Sequence, residues 1–313
     1  MRAPWSGRVF LIGDTMRLGI VGTGRVGASF VLALQHVPDI EIIGVMASSW
    51  EKSCRIGHSY GVTPYADGGD LVQDCDVVLL TVPDDAISHV SANLAALLAH
   101  RTQGQSHSVI LHCSGAMGLE PLRPLQALGY AVGSLHPLQS FACPDGTQLQ
   151  HIYMAVAGDE EAQNAANRLV SLLGSISFTV PDDKRAVYHG AACFASNFIV
   201  TAMAVGQSLL RPFMATQADA AKALLPLIMG TMHNIAQQDD FGKALTGPIA
   251  RGDAGTVAKH VAALDGENLA AYTSFATVTA RVALQEGRIS REQYDHFLSI
   301  LAVGKGDFNE QES

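Results

Sequence analysis

"MRLGIVGTGRVGASF", residues 16–30, sets Gly22, Gly24 and Gly27 in the spacing G-x-G-x-x-G. In a chain with 30 glycines such a pattern also arises by chance, so its surroundings have to decide its meaning. A short apolar run, 16–21, precedes it, and "ASFVLALQHV" (28–37) follows with apolar residues at helical spacing. Strand, turn and helix together are the setting in which the first glycine permits a tight turn and the second lets backbone approach a pyrophosphate. The third lets helix and strand pack closely, and the helix N-terminus offers N–H groups and a positive dipole. Gly22, Thr23, Gly24, Arg25, Val26 and Gly27 are therefore candidate cofactor contacts. The plainer alternative is an ordinary strand–helix corner.

Further along, "IEIIGVMA" (40–47), "CDVVLLTVP" (75–83), "SVILHCSG" (108–115) and "YAVGSLHP" (130–137) predict four more strands. Helices are expected between them, notably over 85–100 and 118–128. "IYMAVAG" (152–158), a helix over 159–173 and "SISFTV" (175–180) add one more unit. Unbroken apolar strands alternating with helices imply a parallel sheet with right-handed crossovers and helices on both faces. After Pro181 the texture changes, and 184–304 reads as helix throughout. The expected organisation is an extension over 1–15, an α/β domain over 16–181 and an all-helical domain over 182–313.

Composition narrows the partners. Apolar residues make up 48% of the 313 and charged residues 16%, the profile of a compact globule. A net charge of −9 without a basic cluster argues against nucleic acid and anionic membranes, which would repel it. The first fifteen residues lack the apolar core of a signal peptide. "GAACFASNFIVTAMAVG" (190–206) contains Ser196, Asn197 and Thr201 and falls short of the roughly 20 residues of a bilayer span, so it reads as a buried helix. Five scattered cysteines without a C-x-x-C pair point to reduced thiols and a cytoplasmic setting. No histidine pair has metal-ligand spacing, and no metal is expected.

The end of the second strand bears on the cofactor. An acid there would hold the ribose hydroxyls of NAD, but the positions read Ala47, Ser48 and Ser49, with Lys52 and Arg55 beyond. Two hydroxyls and nearby cations suit a 2′-phosphate, which favours NADP over NAD. The alternative is that Lys52 and Arg55 are ordinary solvated charges. Val82 and Pro83 end the third strand where they can pack against the cofactor. Ser114 and His136 end the fourth and fifth strands at the same sheet edge, where ligands of open α/β sheets gather.

"YHGAACFASNF" (188–198), "LTGPIARGD" (245–253) and "SLHPLQSF" (134–141), taken with the glycine turn, resemble the Rossmann-like proteins with a DUF2520 C-terminal domain. That group is often labelled NADP- or F420-dependent oxidoreductase-like and is related to the 6-phosphogluconate dehydrogenase, ketopantoate reductase and pyrroline-5-carboxylate reductase proteins. The resemblance implies a Rossmann-type parallel sheet, an all-helical C-terminal domain and a small-molecule substrate held between them.

In related β-hydroxyacid dehydrogenases the first helix of the second domain carries a Lys and an Asn. Here that helix carries His189, Cys193, Ser196 and Asn197, and the Lys is absent from the stripe. At about 100° per residue, 189, 193 and 196 share a face, with Asn197 at its edge. His189 is then the expected general acid, with Asn197 and Ser196 orienting substrate. The alternative for His189 is a satisfied histidine at a domain junction. Arg251 is either a clamp for an anionic substrate or part of a turn in which Asp253 caps the next helix.

Two readings of function stand: an NADP-dependent reductase of a small carbonyl or imine, or a non-catalytic dinucleotide sensor. Because the 190–206 helix is apolar nearly all round, a homodimer through the second domain is expected.

Overall fold

The structure, a computed structural model, describes residues 14–101 and 108–303. Most of the expected extension, 1–13, therefore lies outside the described residues.

Seven strands form one sheet: β1 (Met16–Val21), β2 (Ile40–Met46), β3 (Val77–Leu80), β4 (Val109–His112), β5 (Val132–Pro137), β6 (Tyr153–Gly158) and β7 (Ile176–Thr179). Their order across the sheet is β2-β1-β3-β4-β5-β6-β7. The order reverses beside β1, where the chain first steps to β2 on one side and then to β3 on the other. Crossover helices α1 (Arg25–Leu34), α2 (Trp50–Tyr60), α3 (Gly68–Asp74), α4 (Asp84–Ala99) and α5 (Arg123–Ala127) connect the first five strands. The expected 118–128 helix is only a short turn over Glu120–Leu122 followed by α5. Pro121 and Pro124 sit in the opening turns of these two pieces, where a missing N–H costs little.

The central strands are apolar on both faces because the sheet is covered on both sides there. Leu18, Ile20, Leu79 and Leu111 enter one core cluster, and Val78, Leu80, Ile110 and Val132 enter the other.

One expectation is corrected. The sheet is not parallel throughout, since β5 and β6 pair antiparallel, with Gly133 opposite Gly158 and Pro137 opposite Met154. α6 (Glu160–Leu172) then carries the chain to β7, parallel to β6. β7 therefore points away from the C-terminal edge of the first five strands, and the chain must turn back. It does so through Asp182–Lys184 into α7 (Arg185–Ala195), whose contacts advance along β5. Arg185 bonds Ser134, and Tyr188 reaches His136.

The helix expected over 190–206 is interrupted. Ser196 leaves helical geometry at φ −131°, ψ −78°, and α8 (Asn197–Leu210) begins anew. Nor is this stretch buried, for α8 has no buried residue. Asp182–Phe213 is long and apolar enough, by length and composition alone, to cross a membrane.

The chain divides into two compact units between Phe198 and Ile199, so α7 belongs with the sheet. The second unit is helical: most of α8, α9 (Gln217–Ala236), α10 (Ala254–Ala263), α11 (Gly266–Gln285) and α12 (Arg291–Val303). Its own core gathers Val257, Ala276, Ala280, Phe297 and Leu301.

Candidate active site

The glycine turn is built as its spacing implied. Gly22 sits at φ +96°, a conformation side chains rarely adopt, and its carbonyl accepts a hydrogen bond from the Thr81 hydroxyl. Gly27 lies so close beneath that a Cβ would run into this same carbonyl and Thr81 Oγ1. Gly24 differs, because a Cβ there would meet nothing within 4 Å and its backbone is ordinary. No side chain caps α1 at Gly24, and its first turn contains no acid. The N–H groups of the first turn and the positive helix end are thus left to something outside the chain.

Around the turn lies a cavity of about 680 Å³. Of the candidate cofactor contacts, Gly22, Thr23, Gly24, Arg25, Val26, Val82 and Pro83 line it, together with Ser48, Lys52 and Arg55. Lys52 Nζ donates to Ser48 Oγ at 3.0 Å, placing a cation beside that hydroxyl. Ser49 does not line the cavity, because its side chain caps α2 by accepting from the Lys52 N–H. Thr81 and Phe141 line it too, and neither carried a readable signal. The site fits a dinucleotide: an open Gly24, an uncapped helix end and a Ser–Lys pair with no acid among the lining residues.

A second cavity, of about 540 Å³, lies between the end of β5 and α7. His136, His189, Ser196 and Asn197, all expected at the site, line it with Tyr188 and Cys193. His136 Nδ1 lies 2.6 Å from the Tyr188 hydroxyl, and its ring centroid is 6.2 Å from that of His189. Gly115 allows this approach, for a Cβ there would stand 2.7 Å from His136 Nε2 and 2.9 Å from His189 Cδ2. Burial pushes the His136 imidazole down to about 4, with repulsion from His189 and Arg185 adding to it. Burial also pushes the Tyr188 phenol up to about 12.

The linings of the two cavities are continuous along the chain. Leu138, Gln139 and Ser140 line the second and the next residue, Phe141, lines the first.

Besides Ser49, three expected residues lie off both linings, Gly27 beneath the turn and Ser114 and Arg251 elsewhere. Ser114 is buried and lines neither cavity; it donates to Asp84 Oδ2 at 2.7 Å and accepts from the Met117 N–H, so its hydroxyl is already committed. Arg251 belongs to the second unit, exposed at the end of a turn over Ile249–Arg251, and Asp253 beside it caps α10 through the Thr256 N–H at 3.0 Å. Sequence reasoning also missed Arg185, fully buried and donating to Ser134 Oγ and the Ser114 carbonyl. Among the described residues no group of three His, Cys, Asp or Glu side chains is placed to hold a metal ion.

Residues 10–137 match the Rossmann-like domain family, and residues 152–279 match DUF2520, a domain of unknown function. No curated protein sequence matches the chain. Among solved structures, a candidate NADP oxidoreductase from Bacteroides fragilis is 17% identical with a TM-score of 0.67, over 85% of this chain and 98% of that one. A Thermotoga maritima protein is 24% identical with a TM-score of 0.64, over 86% and 99%. A 1-pyrroline-5-carboxylate reductase from Streptococcus pyogenes is 15% identical with a TM-score of 0.56, over 92% and 99%. At these identities the likeness is one of fold.

Proposed function

We propose that this chain, a Rossmann-like domain followed by a DUF2520 domain, is an NADP-dependent oxidoreductase acting on a small carbonyl or imine. The observation that carries this reading is the pair of cavities at one sheet edge, their linings continuous along the chain. One fits a dinucleotide and the other gathers proton-bearing side chains, with only the step from Ser140 to Phe141 between their linings. Two proteins of similar fold, the Bacteroides fragilis NADP oxidoreductase and the Streptococcus pyogenes 1-pyrroline-5-carboxylate reductase, agree with it.

NADPH, when bound, supplies a hydride. Gly22 and Gly24 bring backbone close to the phosphates, Gly27 lets α1 pack beneath the turn, and Ser48, Lys52 and Arg55 receive the 2′-phosphate. His189 gives the proton that the reduced oxygen or nitrogen must gain, while Asn197 and Ser196 orient the substrate.

The test is loss of NADPH absorbance against a panel of ketones, ketoacids and cyclic imines. His189→Gln should lower kcat on the best substrate by about two to four orders of magnitude, the range of a positioned acid. NADPH affinity, read by fluorescence titration, should stay at the parent value and exceed that for NADH several-fold. Ser48→Asp should reverse that preference. Tight NADPH binding with no turnover anywhere in the panel would leave a nucleotide-binding sensor instead.

A further inference from the structure

His136 and Tyr188 are 52 residues apart in sequence and meet in a close polar contact at the second cavity. Tyr188 is the fourth residue of α7, and its ring packs edge-on against Phe178 of β7 at 5.7 Å as well as against His136 at 5.5 Å. Both rings are thus fixed by neighbours rather than free to turn. The direction of the bond follows from what each partner does best. A phenol is a strong donor, whereas a bare imidazole nitrogen is a strong acceptor. If His136 instead donated from Nδ1, the Tyr188 proton would need another acceptor, and among the described residues no other hydrogen bond to this hydroxyl is found. With Nδ1 accepting, the ring's one remaining proton sits on Nε2.

Nε2 is the atom left open. No hydrogen bond to it is found among the described residues, and its ring lines the cavity. Gly115 keeps it so, because a Cβ at that position would cover it at 2.7 Å.

The charged and titratable groups around His136 are His189 and Arg185 of α7, Asp84 of α4 and His112 of β4. Arg185 donates to the Ser114 carbonyl and Ser134 Oγ, and Asp84 accepts from Ser114. Neither lines the cavity, and no Lys or Arg is among the residues that do.

We propose that Tyr188 is a positioning residue that locks His136 in the Nε2–H form, so that the cavity presents a neutral N–H donor to an uncharged acceptor, a carbonyl oxygen or imine nitrogen. The assignment of His136 to a substrate rests on the oxidoreductase reading, whereas the lock itself does not. Burial, which holds the imidazole near 4, agrees with a neutral ring across the physiological range. A substrate carboxylate finds no fixed cation among these lining residues to repay its desolvation.

The test reads the ring directly. Long-range 15N–1H correlation spectra of the histidines in the full-length protein, with His136 assigned by its loss in His136→Gln, report which nitrogen bears the proton. The parent should give a single Nε2–H pattern from pH 6 to pH 8. Tyr188→Phe, which keeps the ring and removes the donor, should give a mixture of tautomers with the melting temperature nearly unchanged. An Nδ1–H pattern in the parent, or an unaltered pattern in Tyr188→Phe, would overturn the lock.

On the best substrate, Tyr188→Phe should lower kcat about three- to tenfold, the worth of one hydrogen bond, with KM for NADPH unchanged. Cyclic imines or ketones lacking a carboxylate should be preferred to their carboxylated counterparts, and the reverse order would overturn the uncharged-acceptor assignment. Absence of turnover throughout the panel would remove the substrate role and the oxidoreductase reading together, while the tautomer spectrum would still decide the lock.

Discussion

Gly24 and Gly27 belong to one motif but answer to different constraints. Gly27 is required by the fold, since its missing Cβ leaves room for the Gly22 carbonyl and the Thr81 hydroxyl. Gly24 has open space and an unstrained backbone, so nothing within the chain asks for glycine there. Gly24→Ala should therefore melt within a degree or two of the parent yet bind NADPH at least tenfold more weakly, the cost of holding a pyrophosphate off the backbone. Gly27→Ala should lose stability outright, by about 1–3 kcal/mol of overpacking. Thermal melts beside fluorescence titrations would separate the two. Equal effects from both substitutions would mean that Gly24 has a structural duty the packing does not reveal. Residue spacing made the motif legible because all its members are local. The His136–Tyr188 contact was not legible, since only tertiary pairing across 52 residues creates it. Thr81 and Phe141 were missed for the same reason.

Among the elements, buried strands were the easiest to read, because a sheet covered on both faces leaves continuous apolar runs. Their direction was another matter. "YMAVAG" of β6 is as apolar as its neighbours, and nothing in it records that it runs against β5. Direction is set by where the connecting chain can cross. The break at Ser196 was likewise invisible, since neither Gly nor Pro marks it.

β4 has a consequence for acid stability. His112 at its end is fully buried, with Nε2–H donating to the Gly118 carbonyl at 3.0 Å and Nδ1 accepting from the Ser114 N–H at 3.2 Å. Burial pushes this imidazole down to about 4, as it does His136. Both folded values lie below the ordinary value of about 6.5, so between these limits the unfolded chain takes up protons that the folded chain refuses. Stability should accordingly fall as pH drops from about 6.5 toward 4. Melting curves across that range check it, and a melting temperature flat from pH 7 to pH 4.5 would contradict it.

At the scale of the molecule, the second unit leaves much apolar surface uncovered. α8, "NFIVTAMAVGQSLL", has no charged residue and no buried one, and of α9 only Ala220 is buried. Val200 is 67% exposed and Leu227 68%, and Met203, Leu224, Ile228 and Met232 line a groove of about 310 Å³ beside them. Apolar surface this continuous is seldom left to water. The assembly we propose is a homodimer in which a second copy covers α8 and α9. Light scattering at micromolar concentration should give twice the chain mass, and Leu227→Glu should shift it toward the monomer. A monomeric parent protein would rule the dimer out.

The segment Leu138–Phe141 makes one last point. Because consecutive residues face separate cavities, filling either one stiffens a stretch of backbone that the other also borrows. The entropy lost on ordering that stretch is then charged to whichever ligand arrives first, and the second enters at a discount. Binding would be cooperative without any change of shape, and four residues of shared wall would let each ligand tighten the other by the same factor, whichever is bound first.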